Sequence, residues 1–228
     1  MCGVLAITID GFNEGDHDLV RGLFQQSMIR GKHATGVSYV KNEMVNTTKE
    51  PIPADEFIKK QDLNSWRNED GNLYCIGHIR YSTSDLRYNQ PMASDKLSIV
   101  HNGVISQEPQ ERWKELFGFE TETANDSELI LRQLESGKGH PLKTFRPASM
   151  AVCTIDNDKV ITAFRNEERP LYYYSDSRMT IFASTADILK RAGLTNIEKT
   201  EMYRVYMVID FTFMSHGISV PDNIEDLQ

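Results

Sequence analysis

The residues with the clearest chemical potential stand at the start of the chain, in the tripeptide Met1-Cys2-Gly3. If Met1 is removed, Cys2 carries a thiol and a free α-amine, and the amine can take the proton of its own thiol. One residue then supplies both a nucleophile and a general base. We expect removal of Met1, because cytosolic methionine trimming favours a small second residue. A cysteine also occurs at this position by chance, so the motif needs support from elsewhere in the sequence.

A second group of polar residues has the chemistry to bind a small charged substrate. Arg80 ends an apolar run and is followed by Ser82 and Thr83. An arginine fork can hold a carboxylate through two hydrogen bonds, and hydroxyls can complete the cradle, although a lone arginine is better explained as a surface residue. Asp126 stands at the first turn of a predicted helix, where it either stabilises the helix dipole or binds a substrate ammonium group.

The Asn102-Gly103 pair supports two compatible interpretations. Between the apolar runs 97–100 and 104–105, Asn-Gly predicts the tight turn of a β-hairpin. The Asn102 side-chain amide and the Gly103 backbone N–H could also form an oxyanion hole. A rigid turn would hold both donors in place.

The elements that must position these residues follow from hydrophobic periodicity and turn signals. Strands are predicted over residues 3–9, 37–40, 43–47, 73–79, 97–100, 104–105, 148–155, 159–165, 171–175 and 179–184. Helices are predicted over residues 16–30, 53–60, 108–117, 126–135 and 185–191, and residues 125–128 form a capping-box pattern. Strands and helices come in groups rather than in strict alternation, which favours a layered α+β fold.

Composition limits the class of protein. The chain has 228 residues, of which 39% are hydrophobic and 25% charged, values that predict one large globular domain. The net charge is −8 and no dense Lys/Arg cluster is present, so we do not expect nucleic-acid binding. The three cysteines are an odd number and widely spaced, which argues against a disulfide framework.

No motif in the chain indicates a cofactor or a metal ion. Cys75 and His78 have a C-x-x-H spacing, but no second pair completes a zinc site. Phosphate-binding and dinucleotide-binding glycine motifs are absent. The N-terminal apolar run lacks a basic leader and no run reaches the length of a membrane span, so we expect a cytoplasmic protein without membrane contact.

Taken in order, several segments resemble the class II glutamine amidotransferase domain, a family of N-terminal nucleophile hydrolases. This family includes the glutaminase halves of glucosamine-6-phosphate synthase and amidophosphoribosyltransferase. The resemblance runs from Cys2 to about residue 193. It is carried by Met1–Ala6, Arg30-Gly31 with Gly36, Gly77–Thr83, Asn89-Gln90-Pro91, Val100–Ile105, Asn125–Ile130, Ala163–Asn166, Pro170-Leu171 and Phe182-Ala183-Ser184.

The resemblance implies a four-layer αββα sandwich and a role for each candidate residue. Cys2 is implied as the nucleophile and its α-amine as the base. Arg80, helped by Thr83, would hold the α-carboxylate of L-glutamine. Asp126 would bind the α-ammonium group of glutamine. Asn102 and Gly103 would stabilise the oxyanion of the tetrahedral intermediate. Attack on the side-chain amide would give a γ-glutamyl thioester and ammonia, and water would then release glutamate, without metal or cofactor.

Residues 2–195 are expected to form this glutaminase domain, with 196–228 as a C-terminal extension that packs on it or trails from it. Because that extension is too short for a synthase fold, we expect a separate synthase partner to use the ammonia. Departures from the family pattern at 32–35, Ser84-Asp85 and 147–150 leave the branch of the family open. Two alternatives remain: an N-terminal-cysteine hydrolase acting on another γ-glutamyl or small amide, and a catalytically silent binding or regulatory domain.

Overall fold

Two antiparallel β-sheets lie face to face in the computed structural model, which describes residues 1–82 and 89–219. The strands are β1 (Gly3–Ile9), β2 (Ala34–Lys41), β3 (Met44–Glu50), β4 (Leu73–Arg80), β5 (Met92–Ala93), β6 (Leu97–Val104), β7 (Ser149–Asp156), β8 (Ile161–Arg165), β9 (Tyr172–Ser175), β10 (Met179–Ala183), β11 (Glu198–Lys199), β12 (Arg204–Ile209) and β13 (Thr212–Gly217). The helices are α1 (His17–Gln26), α2 (Ala54–Lys60), α3 (Trp113–Phe117), α4 (Ser127–Ser136), α5 (Pro141–Thr144) and α6 (Ala186–Arg191). In the described part of the chain, no helix is both long enough and apolar enough to cross a membrane.

Strand β1 is the central strand of the first sheet. That sheet has seven strands in the order β11-β9-β10-β1-β4-β2-β3, and the second has six in the order β13-β12-β8-β7-β6-β5. Leu5, Ile7 and Ile9 of β1 face a helical layer, while Val4 and Ala6 face the second sheet. All seven residues of β1 are buried, which explains why its sequence is continuously apolar rather than alternating.

Three hydrophobic clusters separate four layers. The first joins α1, α2 and α6 to the first sheet, and the second fills the space between the sheets. The third joins α3, α4 and α5 to the second sheet. The predicted four-layer αββα sandwich is therefore confirmed.

Most predicted elements are present, with small differences at their ends. The strand predicted over 73–79 is confirmed and continues for one more residue. The helix predicted over 16–30 is shorter, because a 3-10 turn at Ser27–Ile29 follows α1. The Ser27 hydroxyl donates to the Leu23 carbonyl at 2.7 Å, a local side-chain bond that often accompanies such a change in helix geometry.

The hairpin predicted at Asn102-Gly103 is wrong. Strand β6 continues without a turn from Leu97 to Val104 and pairs with β7 along its whole length, as far as Val104 opposite Ser149. A Cβ atom on Gly103 would lie 1.8 Å from the Ser149 carbonyl oxygen. Glycine is therefore needed here for a close approach of two backbones, not for a turn.

No element was predicted after residue 191, yet three strands follow. β11 pairs with β9 at the edge of the first sheet, and β12 pairs with β8 in the second. β12 reads Arg-Val-Tyr-Met-Val-Ile, and this run of β-branched and aromatic residues is a signal that could have identified it. The described part of the extension after residue 195 thus contributes to both sheets, while the domain boundary itself stays a prediction.

Four aromatic rings connect these late strands to the first sheet. Phe182 of β10 lies 5.9 Å from Tyr173 of β9 and 6.2 Å from both Tyr206 of β12 and Phe213 of β13, measured between ring centroids. Phe182 is 1% exposed. The cluster therefore ties the two sheets together at the end where β12 and β13 are added.

We expect Phe182→Ala to lower the free energy of unfolding by about 3–5 kcal/mol, because it removes a fully buried ring and leaves a cavity between the sheets. Urea denaturation followed by circular dichroism measures the change. Met44→Ala is the control, since Met44 is 57% exposed and its truncation should change stability by no more than about 0.5 kcal/mol. Equal effects of the two substitutions would contradict the assignment of this cluster to the core.

Candidate active site

Four of the predicted site residues line one cavity. Cys2 precedes β1, Arg80 ends β4, Gly103 lies near the end of β6, and Asp126 immediately precedes α4. All four line a cavity of about 680 Å³ at the ends of these elements. The cavity is large enough for an amino acid, and its walls come from both sheets and from one helix start.

The pairing of β1 with β4 brings Cys2 and Arg80 together. Gly3 stands opposite Ile79 in the antiparallel register, so the residue before Gly3 and the residue after Ile79 are neighbours at the same sheet end. The Cys2 thiol lies 3.8 Å from the Tyr81 carbonyl oxygen, toward which it can donate a weak hydrogen bond. The position of Cys2 beside Arg80 is thus a consequence of strand register.

Cys2 differs from the other two cysteines in its environment. Cys2 is partly exposed, whereas Cys75 and Cys153 are fully buried. Burial raises the pKa of both buried thiols far above the ordinary value, because an apolar surrounding disfavours the thiolate. Cys2 is therefore the cysteine of this chain that has the access a nucleophile needs.

Two arginines contact the N-terminal dipeptide. Arg30 Nε donates to the Cys2 carbonyl oxygen at 3.3 Å, and Arg169 Nη1 lies 3.7 Å from the Met1 sulfur. Burial lowers the pKa of Arg30. Arg30 Nη2 and Arg169 Nε are buried without a hydrogen-bond partner. The end of the chain is thus held beside positive charge, while Met1 itself is 61% exposed.

The loop after α1 supports the segment that carries Arg80. A Cβ atom on Gly31 would lie 2.4 Å from the Arg80 carbonyl group, so only glycine permits this approach. His33 N donates to the Arg80 carbonyl oxygen at 3.0 Å, and Ser82 N donates to His33 Nδ1 at 2.8 Å. The loop containing Gly31 and His33 thereby fixes the backbone on both sides of Tyr81.

The Arg80 side chain is oriented by Asn89. Arg80 Nη1 donates to Asn89 Oδ1 at 2.6 Å, and Asn89 is 5% exposed. Arg80 itself is partly exposed and lines the cavity. Thr83, the predicted helper of Arg80, lies outside the described residues.

Asn102 is buried beside the cavity rather than in its wall. It is 3% exposed, and its amide nitrogen Nδ2 has no hydrogen-bond partner. A buried donor without a partner costs about 1–3 kcal/mol, so such groups are rare in folded proteins. Gly103, the next residue, does line the cavity. An unpaired amide nitrogen next to the cavity is suited to a bond formed only with a bound molecule.

The Asp126 carboxylate closes the loop that follows β6. Asp126 Oδ2 accepts hydrogen bonds from Ile105 N at 2.6 Å and from Ser106 N at 3.2 Å. This carboxylate therefore fixes the backbone directly after the Asn102-Gly103 pair. Asp126 and Arg80 both contribute to the wall of this cavity.

The capping box predicted at residues 125–128 is only half present. Asn125 Oδ1 accepts from Ser127 N at 3.0 Å, as an N-terminal cap does. The Glu128 carboxylate does not complete the box: Glu128 Oε2 accepts from Thr123 N at 2.8 Å and from the Thr123 hydroxyl at 2.7 Å. Glu128 thereby fixes the loop before α4, so the start of the helix is held from both sides.

A buried polar chain that the sequence did not reveal connects β6, α4 and β7. Gln90 Oε1 accepts from His101 N at 2.6 Å, and Gln90 Nε2 donates to the His101 carbonyl at 3.1 Å and to Ser127 Oγ at 2.9 Å. His101 Nε2 lies 3.2 Å from the Ser149 carbonyl, which only accepts, so Nε2 carries the proton. His101 Nδ1 then accepts from the Ser127 hydroxyl at 2.9 Å.

Three histidines have pKa values below the ordinary value; His78 and His101 are buried, and His140 is partly buried. Burial, with a smaller contribution from the Arg80 charge, lowers the pKa of His78 to about 3. Burial lowers the pKa of His101, and lowers the pKa of His140 to about 4. Within residues 1–82 and 89–219, no three His, Cys, Asp or Glu side chains come together in a way that could hold a metal ion.

Comparison with known proteins agrees with this fold. The sequence profile of the family described as "Glutamine amidotransferase domain" matches residues 78–191, half of the chain. A glutamine–fructose-6-phosphate aminotransferase of Staphylococcus aureus strain Mu50 is 20% identical over 212 residues, which is 90% of this chain and 34% of that protein. The Bartonella quintana enzyme of the same name is 32% identical over 148 residues, 60% of this chain and 23% of that protein. The chain thus spans about a third of the length of these relatives or less.

Solved structures share the fold at low identity. Glutamine phosphoribosylpyrophosphate (PRPP) amidotransferase from B. subtilis superposes with a TM-score of 0.72 and 19% identity, over 96% of this chain and 50% of that one. A glutamine aminotransferase class-II domain protein from Silicibacter pomeroyi gives a TM-score of 0.57 and 10% identity, over 97% of this chain and all of that one.

The four-layer αββα sandwich is a fold of the N-terminal nucleophile hydrolase type. The chain belongs to the glutamine amidotransferase domain family and is a class II glutamine amidotransferase domain.

We expect His78, His101 and His140 to make stability depend on pH. Their pKa values in the folded protein lie below the unfolded value of about 6.5, so below that pH the unfolded chain binds more protons. The stabilisation is therefore complete above pH 6.5 and is lost as the pH falls toward the folded pKa values. Urea unfolding at several pH values should show a nearly constant free energy above pH 7. Between pH 6 and 5 it should decline by up to about 1.4 kcal/mol per pH unit for each histidine.

His140→Gln should reduce that slope, because it removes one of the three groups. His33→Gln is the matched control, since His33 is exposed and is not among the groups that lower the three pKa values, and it should leave the slope nearly unchanged. A wild-type free energy of unfolding that stays constant down to pH 5 would show that these histidines are protonated without cost in the folded protein.

Proposed function

We propose that the cavity binds L-glutamine and that Cys2 hydrolyses its side-chain amide through a γ-glutamyl thioester, releasing ammonia. The observation that carries this proposal is the presence of Cys2, Arg80, Gly103 and Asp126 in the wall of one cavity. Membership of the glutamine amidotransferase family supports glutamine as the nitrogen donor. No metal ion or cofactor is needed for the reaction as written.

The two charges of the amino-acid end of glutamine would be held separately. In this proposal the Arg80 guanidinium group binds the α-carboxylate, assisted by Thr83, and the Asp126 carboxylate accepts from the α-ammonium group. Arg80 is already oriented by Asn89, and Asp126 by two backbone N–H groups, so little side-chain ordering remains for the substrate to induce. Clamping one end leaves the side-chain amide directed toward the thiol.

The nucleophilic step would begin once Met1 has been removed. The α-amine of Cys2 takes the thiol proton, and the sulfur attacks the amide carbon, forming a C–S bond. The ammonium group then gives its proton to the departing nitrogen, the C–N bond breaks, and ammonia leaves. Water attacks the thioester in the same way, with the amine as base, which releases glutamate and restores the thiol of Cys2.

The negative oxygen formed in both steps would be stabilised by Asn102 and Gly103. Asn102 Nδ2 has no partner in the unliganded protein, so it is available as a donor without breaking another bond. The Gly103 backbone N–H is the second proposed donor. Donors fixed before the reaction are effective because they need no reorganisation when charge develops.

The ammonia would be transferred to an acceptor on a separate synthase partner. The names of two relatives, a glutamine–fructose-6-phosphate aminotransferase and a glutamine PRPP amidotransferase, support transfer of glutamine nitrogen to an acceptor such as a sugar phosphate.

Hydrolysis of another γ-glutamyl compound or small amide is the second candidate activity. The opposite charges of Arg80 and Asp126 favour a substrate that carries both an α-carboxylate and an α-ammonium group. Competition by L-glutamate would support glutamine as the substrate, and no effect of L-glutamate would support the other amide. A catalytically silent binding domain is disfavoured, because Cys2 is accessible and Asn102 is unpaired. Binding of glutamate without release of ammonia from glutamine would instead support a catalytically silent binding domain.

The first experiment is the intact mass of the purified protein before and after exposure to a diazoketone analogue of glutamine. We expect a mass that lacks Met1 and then a gain of one adduct, because the analogue alkylates an activated thiol in a glutamine-shaped site. Excess L-glutamine should slow the labelling.

Two variants locate the adduct. Cys2→Ala should not label, whereas Cys153→Ala should label like the wild type, since Cys153 is fully buried. Retention of Met1 in an active protein would rule out the α-amine as the base.

We expect Asn102→Ala to lower kcat for glutamine hydrolysis by about 100–1,000-fold and to change KM only a few-fold, because the amide nitrogen acts on the transition-state oxyanion. Ammonia release measured by a coupled assay gives both constants. The melting temperature should change little, since Asn102 Nδ2 makes no hydrogen bond in the folded protein.

Asn166→Ala is the matched control for a structural asparagine. Asn166 Oδ1 accepts from Met150 N at 3.0 Å and its Nδ2 donates to the Ala148 carbonyl. Its loss should lower the free energy of unfolding by about 1–3 kcal/mol. If Asn102→Ala instead behaves like Asn166→Ala, with stability lost and kcat retained, then Asn102 is a structural residue.

A further inference from the structure

A lysine outside the cavity wall reaches the segment that orients Arg80. Lys49 lies on the edge strand β3, and its Nζ donates to the Asn89 carbonyl at 2.8 Å and to the Pro91 carbonyl at 3.1 Å. These acceptors are about forty residues away in the chain. Neither Lys49 nor any other β3 residue lines the cavity.

The same asparagine links this lysine to the cavity. The backbone carbonyl of Asn89 accepts from Lys49, and the side-chain oxygen of Asn89 accepts from Arg80 Nη1 at 2.6 Å. Asn89 is 5% exposed, so its side chain has little freedom to choose another partner. A displacement of the Asn89 backbone would therefore move the oxygen that holds the guanidinium group.

Gly36 permits this arrangement. It stands directly opposite Lys49 in the β2–β3 pairing. A Cβ atom on Gly36 would lie 2.3 Å from the Gln90 carbonyl oxygen, 2.7 Å from Pro91 Cδ and 2.9 Å from Lys49 Cβ. Because glycine has no Cβ atom, the segment beginning at Asn89 can pack directly against β2, where Lys49 can reach its carbonyl groups.

The bonds of Lys49 are unusual for a lysine on an edge strand. Although the residue as a whole is exposed, its ammonium group turns inward to two carbonyl oxygens, and among the residues that the structure describes no carboxylate forms an ion pair with it. Loss of hydration lowers the pKa of Lys49. An ammonium group supplies three donors in a compact space, which suits it to hold two neighbouring carbonyls at once.

We propose that Lys49 is a positioning residue for substrate recognition: it fixes the Asn89 segment so that Asn89 holds Arg80 in the orientation that receives the α-carboxylate of the substrate. This inference rests on the proposed function. It predicts a selective defect, because only interactions with the α-carboxylate depend on Arg80. Cys2 lies on another element, and Gln90 keeps its own three hydrogen bonds to His101 and Ser127, so we expect the thiol and the proposed oxyanion donors to move little.

The test compares Lys49→Met with the wild type by steady-state kinetics and by competitive inhibition. We expect KM for glutamine to rise about 10-fold while kcat changes less than about 3-fold, the pattern for lost ground-state binding. The inhibition constant of L-glutamate should rise by a similar factor. That of 4-aminobutanoate, which is glutamate without its α-carboxylate, should stay the same.

Control variants separate positioning from general damage. Lys59→Met replaces an exposed lysine on α2 and should match the wild type. Lys49→Arg keeps a donor group and should recover most of the affinity. Asn89→Ala breaks the same link, so the Lys49→Met/Asn89→Ala double variant should be little worse than either single variant.

Several outcomes would overturn the inference. Equal rises in the inhibition constants of glutamate and 4-aminobutanoate would show a general structural role, and no rise in either would show that Arg80 is positioned without Lys49. If Lys49→Met does not fold, Lys49→Gln gives the same comparison. A wild-type protein that neither hydrolyses glutamine nor binds glutamate would overturn the proposed function itself, which is a different result from an active wild type with an unselective Lys49 variant.

Discussion

The antiparallel pairing of β1 with β4 is the constraint on which the site depends. β1 is buried on both faces and lies in the middle of its sheet, so its register cannot shift by one residue without turning Leu5, Ile7 and Ile9 away from their helical layer. That register places the residue before β1 beside the residue that ends β4. The hydrophobic core therefore determines how far the nucleophilic thiol lies from Arg80, and the core needs no polar contact between them to do so.

The second half of the site depends on polar contacts instead. β6 contributes Asn102 and Gly103. Its position relative to α4 is fixed by a buried chain of hydrogen bonds through Gln90, His101 and Ser127. Such a chain is strong when every member is paired and costly when one member is lost. Apolar packing thus positions Cys2, the proposed nucleophile, and a saturated polar network positions Asn102 and Gly103, the proposed oxyanion donors.

The sequence predicted the layers and four of the residues that line the cavity, because those features are local or carried by motifs. The apolar run of β1 and the cysteine before it can be identified in the chain without knowledge of the fold. The turn predicted at Asn102-Gly103 failed because the same dipeptide also suits a close approach of two strands, and only the Ser149 carbonyl distinguishes the cases. The bonds of Gln90 and Lys49 could not be predicted, since their partners lie 11 to 42 residues away.

The two polar groups of β6 show how stability and function are divided between neighbouring residues. His101 has both ring nitrogens and both backbone groups paired, so its burial is compensated within the protein. Asn102, one residue later and facing the other sheet, keeps a buried nitrogen unpaired at a cost of about 1–3 kcal/mol. Folding alone would favour a smaller apolar residue at that position. The unpaired nitrogen of Asn102 suits an acceptor that forms only during the reaction, such as the proposed oxyanion. The fully hydrogen-bonded His101 keeps the strand rigid in its absence.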